Sequence, residues 1–198
     1  MHDGAESPRR GRGRPRSDVS RDQALNAAYD VLCEHGFSAV TYDIVAKRSG
    51  VARTTLYRHW PDRAAMVVDA FFTKTADLLV FPDTGSARED FRQQIHALAA
   101  VLRGPVGGAI VAMVGALHDE PTISAALRER WLAPRQRWGF ARLTRAKADG
   151  ECRDGVHIPA ALAAMYGPLY TPLFLDLGVP DTAMVDACFD VVSVGIFR

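Results

Sequence analysis

"TYDIVAKRSGVARTTLYRHWPDR" occupies residues 41–63. Thr41 is a good N-cap for a short segment carrying Ile44, Val45 and Ala46, which Ser49-Gly50 stops. A second segment runs from about Arg53 to His59. Two short helices around a tight glycine turn make a helix-turn-helix. Ala46 is small enough for the second helix to cross close to the first. Gly50 accepts the positive φ that the turn requires, and Val51 tucks beneath it. Ala52, Leu56 and Trp60 lie a helical turn apart and are expected to bury together. Arg53, Thr54, Thr55, Tyr57 and Arg58 are left on the other faces. Two guanidinium groups, two hydroxyls and a phenol suit base edges and phosphates. Arg53, near the helix start, is placed to fork onto a guanine. Thr54 and Thr55 can touch a thymine methyl or a phosphate. Arg63 opens the following helix, where backbone N–H groups favour an anion. The alternative is an αα corner with a solvated polar face. The agreement of apolar, polar and glycine positions favours DNA.

Outward from this stretch everything reads as helix. No segment alternates with period two. Ser20 with Gln23 forms a capping box for a first helix, with Ala24, Leu25, Ala28, Val31 and Leu32 at helical spacing. Gly36 supplies its stop. Asp62 caps a long apolar helix reaching about Val80. Ser86 with Glu89 opens a helix to about Arg103, and a Gly-rich apolar helix follows to about His118. A further helix runs from Pro121 to Asp149 with a kink at Pro134, and Gly150 caps it. The last two helices are expected over Pro159–Leu177 and Asp181–Phe197. The fold class is all-α with about nine helices: a three-helix unit joined by a long helix to a larger bundle. The expected division is a disordered basic arm over 1–19, a DNA-binding unit over 20–65, and a ligand and dimerisation unit over 66–198.

Net charge is +1, which hides an asymmetry. Arg9 to Arg63 carries eleven Lys/Arg against six Asp/Glu, whereas the chain after residue 80 carries twelve against thirteen. A polyanion partner is therefore expected for the first third only. No apolar run is long enough to cross a bilayer, and the basic N-terminus lacks the apolar stretch of a secretory signal. Cys33, Cys152 and Cys188 lack zinc spacing and read as reduced cytosolic thiols. No phosphate loop, metal-ligand spacing or nucleophile context is present, so no enzyme activity, metal or cofactor is expected. His118-Asp119-Glu120 is the one compact polar cluster, at a predicted helix end.

The residues from Ser20 to Phe72 resemble the tetracycline-repressor (TetR) family of transcription regulators. Gly36-Phe37, Thr41, Ile44, Ala46 and Gly50-Val51 match its pattern. Thr55, Leu56, Tyr57, His59, Trp60 and Arg63 match its T-L-Y-x-[HY]-[FW]-x-x-[KR] run. Ala52 departs from it, standing where Ser or Thr often caps the recognition helix. The resemblance implies phosphate contacts at Thr41, Tyr57, His59 and Arg63, and base reading at Arg53, Thr54, Thr55 and Arg58. Tyr57 and His59 have a second reading as packing residues at the junction with the next helix.

The C-terminal part resembles one TetR-type ligand domain through Arg145-Ala146, Gly150-Glu151, Arg153 and Gly167-Pro168-Leu169-Tyr170. Pro172 departs from that pattern and is expected to disturb its helix. The resemblance implies a homodimer paired through the last two helices. Met165 and Leu169 lie on one candidate stripe, and Val185, Phe189 and Val192 on another. It also implies a small-molecule effector among the middle helices. Candidate lining residues are Met113, His118, Trp131 and Trp138, then Phe140, Tyr166, Tyr170 and Phe174. An apolar, aromatic pocket with few charges is expected. The implied protein is a cytoplasmic, inducer-released repressor on a palindromic DNA operator. The alternatives are an activator of the same family and an architectural DNA-binding protein acting through its arm.

That arm is "PRRGRGRPRSD", residues 8–18. Arg12-Gly13-Arg14-Pro15 resembles an AT-hook core, followed by Arg16. Glycine lets the backbone sit deep in a minor groove, and arginines seek the potential of a narrow A/T groove. A disordered solubilising tail is the other reading.

Overall fold

The computed structural model describes residues 16–75, 78, 81–117 and 119–198, the side chains of residues 16 and 17 excepted. The order is α1 (Arg16–His35), a single 3-10 turn (Phe37–Ala39), α2 (Tyr42–Ser49), α3 (Arg53–His59) and α4 (Arg63–Thr75). Then come α5 (Ala87–Arg103), α6 (Pro105–Gly115), α7 (Pro121–Ala126), α8 (Ala133–Ala148), α9 (Ile158–Phe174) and α10 (Thr182–Ser193). A π-helical turn, Leu127–Leu132, joins α7 to α8 without a break, so the described residues hold nine α-helical runs. The one extended pairing among them is an isolated bridge between Cys152 and Phe197.

Short-range chemistry sets the helix starts. The Thr41 hydroxyl accepts from the Ile44 N–H at 3.3 Å, and Asp62 Oδ1 from the Ala65 N–H at 2.7 Å. Ser86 accepts from Glu89 at 3.5 Å and Asp181 from Met184 at 2.8 Å. Each satisfies a donor that the first helical turn leaves unpaired. Gly50, at φ 72°, ends α2 by closing on the Ala46 carbonyl.

α1 packs on α4, α2 and α6, while α5 packs on α6, α8, α9 and α10. Leu25 and Leu32 of α1, Leu56 of α3 and Met66 and Phe71 of α4 are fully buried. Phe71 meets the buried Trp131 ring at 5.3 Å, which carries the apolar core into the bundle. Full burial of each such side chain stabilises by about 1.5–3 kcal/mol.

Several expected boundaries move. α1 starts at Arg16, so Ser20 lies inside it rather than capping it. Asp18 occupies the first turn, where the helix dipole favours a carboxylate. Ala52 is exposed, while Leu56 and Trp60 bury as expected. Among the described residues α4 runs to Thr75, whose hydroxyl closes back on the Phe71 carbonyl. The helix from Pro121 runs on past Pro134, where the kink is expected: a wider π turn precedes it, and α8 continues past a residue that has no N–H to donate. α9 likewise runs through Pro168 and Pro172 to Phe174. α10 stops at Ser193, short of Phe197, because the chain end folds back. There Arg153 N–H donates to the Ile196 carbonyl, and Arg198 N–H to the Glu151 carbonyl, each at 2.9 Å.

A buried ion pair locks the bundle. Arg142 Nε meets Asp90 Oδ2 at 2.5 Å, and the two side chains are 6% and 0% exposed. Asp90 Oδ1 also accepts from the Thr84 N–H and hydroxyl at 2.6 and 2.7 Å. Glu151 accepts from Arg142 at 3.1 Å and from the Ala87 N–H at 2.6 Å. Gly150, at φ 77°, turns the chain to deliver Glu151 there. The Gly150-Glu151 element therefore staples α8 to the start of α5.

Candidate nucleic-acid interface

α3 presents Arg53, Thr54, Tyr57 and Arg58 to solvent, with Thr55 half-buried. Leu56 and Val51 bury beneath it and fix its roll. Arg53 Nη1 pairs with Asp43 Oδ1 of α2 at 2.6 Å, and its Nη2 donates to the Tyr57 hydroxyl at 3.3 Å. The Tyr57 ring lies against Tyr42, centroids 4.1 Å apart. Tyr42 donates its hydroxyl to the Trp60 carbonyl at 3.0 Å. One guanidinium and two phenols are thus organised across the helix pair. Ala52 gives α3 no side-chain cap, so its first N–H groups keep no side-chain acceptor there and suit an anion.

The remaining predicted contacts fall differently. The Thr41 hydroxyl caps α2. His59 is half-buried beside the Trp60 ring at 5.5 Å. Its Nε2 is buried with no hydrogen-bond partner among the described residues. Arg63 stacks on Phe37 at 4.2 Å and pairs with Glu120, between α6 and α7, at 3.0 Å. Arg12, Gly13, Arg14 and Pro15 lie outside the described residues; Arg16 begins α1.

Asp69 and Glu120 had not been singled out as partners. Asp69 accepts from Arg21 of α1 at 2.9 Å, from the Trp60 indole at 3.1 Å and from Arg130 of the π turn at 3.4 Å. One carboxylate therefore touches α1, the end of α3 and the bundle together. The available signal was a lone acid inside the apolar stretch of α4.

In the bundle, a cavity of about 430 Å³ lies between α8 and α9, with Leu98 of α5 on its wall. Tyr166, Tyr170 and Phe140 line it, whereas Met113 and Trp131 are packed in the core. Trp138 and Phe174 are 47% and 45% exposed and do not line it. His118 lies outside the described residues. Arg135 and Gln136 also line the cavity, and neither had been expected.

The stripe offered to a second subunit is also corrected. Met165, Leu169, Val185 and Phe189 are each at most 3% exposed within one chain, where α9 and α10 pack on α5. A side chain already enclosed has no surface to give a partner. Val192 is half-buried. Met184, Val191 and Val194 are instead 55%, 79% and 59% exposed. Among the described residues no cluster of His, Cys, Asp or Glu could hold a metal, and no single helix is long and apolar enough to cross a membrane.

Comparison with known proteins adds three findings. Residues 24–70 match the bacterial regulatory proteins of the tetR family, and residues 81–192 match the tetracyclin repressor-like C-terminal domain. The uncharacterized HTH-type transcriptional regulator YdeS of Bacillus subtilis is 34% identical over 164 residues, 83% of each chain. The TetR family transcription regulator SCO0332 has a crystal structure that superposes with a TM-score of 0.70. It is 30% identical and covers 90% of this chain and 99% of its own. FadR from Bacillus subtilis, solved with stearoyl-CoA, shares the fold at a TM-score of 0.73 and 20% identity, over 88% of this chain and 98% of its own.

Proposed function

The chain belongs to the TetR family of bacterial regulatory proteins and is a helix-turn-helix transcriptional regulator; from that premise we propose that it is a cytoplasmic repressor, binding a palindromic operator as a homodimer and released by a small apolar or aromatic inducer. The observation that carries this reading is the exposed face of α3, with Arg53, Thr54, Tyr57 and Arg58 held over the buried Leu56. Residues 20–65 read DNA, and residues 66–198 dimerise and hold the inducer. The arm adds a minor-groove contact beside each major-groove site.

Dimerisation falls to the open face of α10. Met184, Ala187, Val191 and Val194 are exposed and spaced by three, four and three residues. That spacing suits a helix seam with a second copy. Two recognition helices must then meet successive major-groove faces about 34–36 Å apart, or a multiple of that distance. α4 transmits the signal: Arg63 and Asp69 tie it to Glu120 and Arg130. An inducer that prefers one tilt of α4 changes the spacing and depopulates the DNA-competent form. Bound DNA weakens the inducer by the same factor.

The test begins with footprinting at the promoter nearest its own gene, then compares that operator with random duplex in anisotropy titrations. A preference of about a thousandfold or more is expected. Equal affinity for both would leave only non-specific binding through the arm. Val191→Asp is expected to yield monomers in sedimentation experiments; an unchanged dimer would move the seam elsewhere.

A further inference from the structure

Arg135, in the first turn of α8, lines the cavity between α8 and α9. Its Nη1 donates to the Trp131 carbonyl at 2.8 Å, and its guanidinium lies 3.5 Å from the centre of the Trp131 indole. Its Nε is buried with no hydrogen-bond partner, and no ion pair among the described residues includes it. Trp131 is itself held, donating its indole N–H to the Tyr170 hydroxyl oxygen at 3.1 Å. Tyr170 therefore accepts there and keeps its own O–H to donate. Tyr166 spends its O–H on Gln94 Oε1 at 2.7 Å. Burial pushes both phenols above the ordinary tyrosine value, so neither supplies a negative charge. Burial also lowers Arg135 from its ordinary value, yet an arginine stays charged in a protein. Leu98, Leu132, Phe140 and Leu162 make much of the remaining wall apolar, and Gln136 adds a neutral amide.

A half-buried cation that meets one carbonyl and an indole face but no carboxylate still has charge and donors unmet. The donors that remain form a planar fork that matches a carboxylate. Resting on the ligand-responsive reading above, we propose that the cavity binds an organic anion, a carboxylate on an apolar body, with the Arg135 fork on the carboxylate and the Tyr170 hydroxyl donating beside it. This narrows the class of effector: an apolar body alone fills the cavity but leaves the charge unmet.

Matched probes separate charge from shape. Decanoate is compared with decanamide, and naphthoate with naphthamide, by calorimetry on the full chain. The wild-type protein is expected to prefer each acid by about tenfold or more. Arg135→Gln is expected to bring that preference below about twofold, and Arg135→Lys to keep part of it. Thermal melts show that the variants fold. Should Arg135→Gln fail to fold, Ala163→Trp, which adds bulk at the cavity wall, is expected to lose decanoate binding. Equal binding of acid and amide by the wild type overturns the assignment. So does binding of neither at about 1 mM, an acid preference that survives Arg135→Gln, or decanoate binding that survives Ala163→Trp. Operator binding is measured on the same samples without probe. Acid selectivity without operator binding sinks the regulator reading and leaves the anion site standing. Operator binding without acid selectivity sinks the anion site alone.

Discussion

Arg53 in α3 and Arg142 in α8 each pair with a carboxylate, at 2.6 and 2.5 Å. The Arg53–Asp43 side chains are 53% and 68% exposed, the Arg142–Asp90 side chains 6% and 0%. Water screens the first pair, so opening it costs little and leaves the guanidinium free to exchange partners, as the proposed DNA contact requires. The second cannot open without stranding a buried charge. The same chemistry is exchangeable on the surface of the helix-turn-helix and structural inside the bundle. Arg135 is a third case, half-buried at a cavity wall and without a carboxylate partner among the described residues.

Arg142→Ala should have the largest effect, a loss of about 3–5 kcal/mol in urea unfolding, while Asp43→Ala should leave the midpoint nearly unchanged. Similar losses from both would break the comparison. The acid limb sharpens it. Burial alone would raise the Asp90 carboxyl, but hydrogen bonds from Thr84 and Arg142 outweigh this and hold it below the ordinary range. Its contribution is complete above about pH 3.9 and is lost as pH falls through the lower folded value. Arg142→Ala should therefore move acid unfolding to higher pH.

Arg53→Ala should weaken operator binding by about ten- to a hundredfold and random-DNA binding much less, read by anisotropy. An equal loss on both would make Arg53 a phosphate contact. Removing residues 1–15, ahead of α1, should cost about tenfold and flatten the salt dependence of operator binding. An unchanged slope would leave the arm a solubilising tail. Glu120→Ala should have the smallest effect. It frees Arg63 from a half-exposed pair and should strengthen operator binding by about two- to fivefold. Weaker binding would mean that Glu120 holds Arg63 in its DNA-competent place.

The helix-turn-helix was legible because its signals act over four residues or fewer. The Thr41 hydroxyl reaches Ile44, and Gly50 closes on Ala46. Leu56 buries where its spacing put it. The bundle was legible only as helices. Met165 and Leu169 form an apolar stripe of the same kind as Met184 and Val191, yet the first is enclosed and the second exposed. Periodicity identifies a face, not what covers it. Arg135 is one basic residue among several in α8, and nothing nearby in the chain marks a missing counter-ion.

The sequence by itself determined the all-helical class, the recognition helix and the polar residues on its outer face, because spacing and capping encode them locally. The tertiary structure decided that Asp69 gathers Arg21, Trp60 and Arg130, that Arg63 rests on Glu120, and that Arg135 faces a cavity. Asp69 and Arg130 stand 61 residues apart in the chain. Such contacts arise from how packed helices place distant side chains, a geometry that local pattern does not carry.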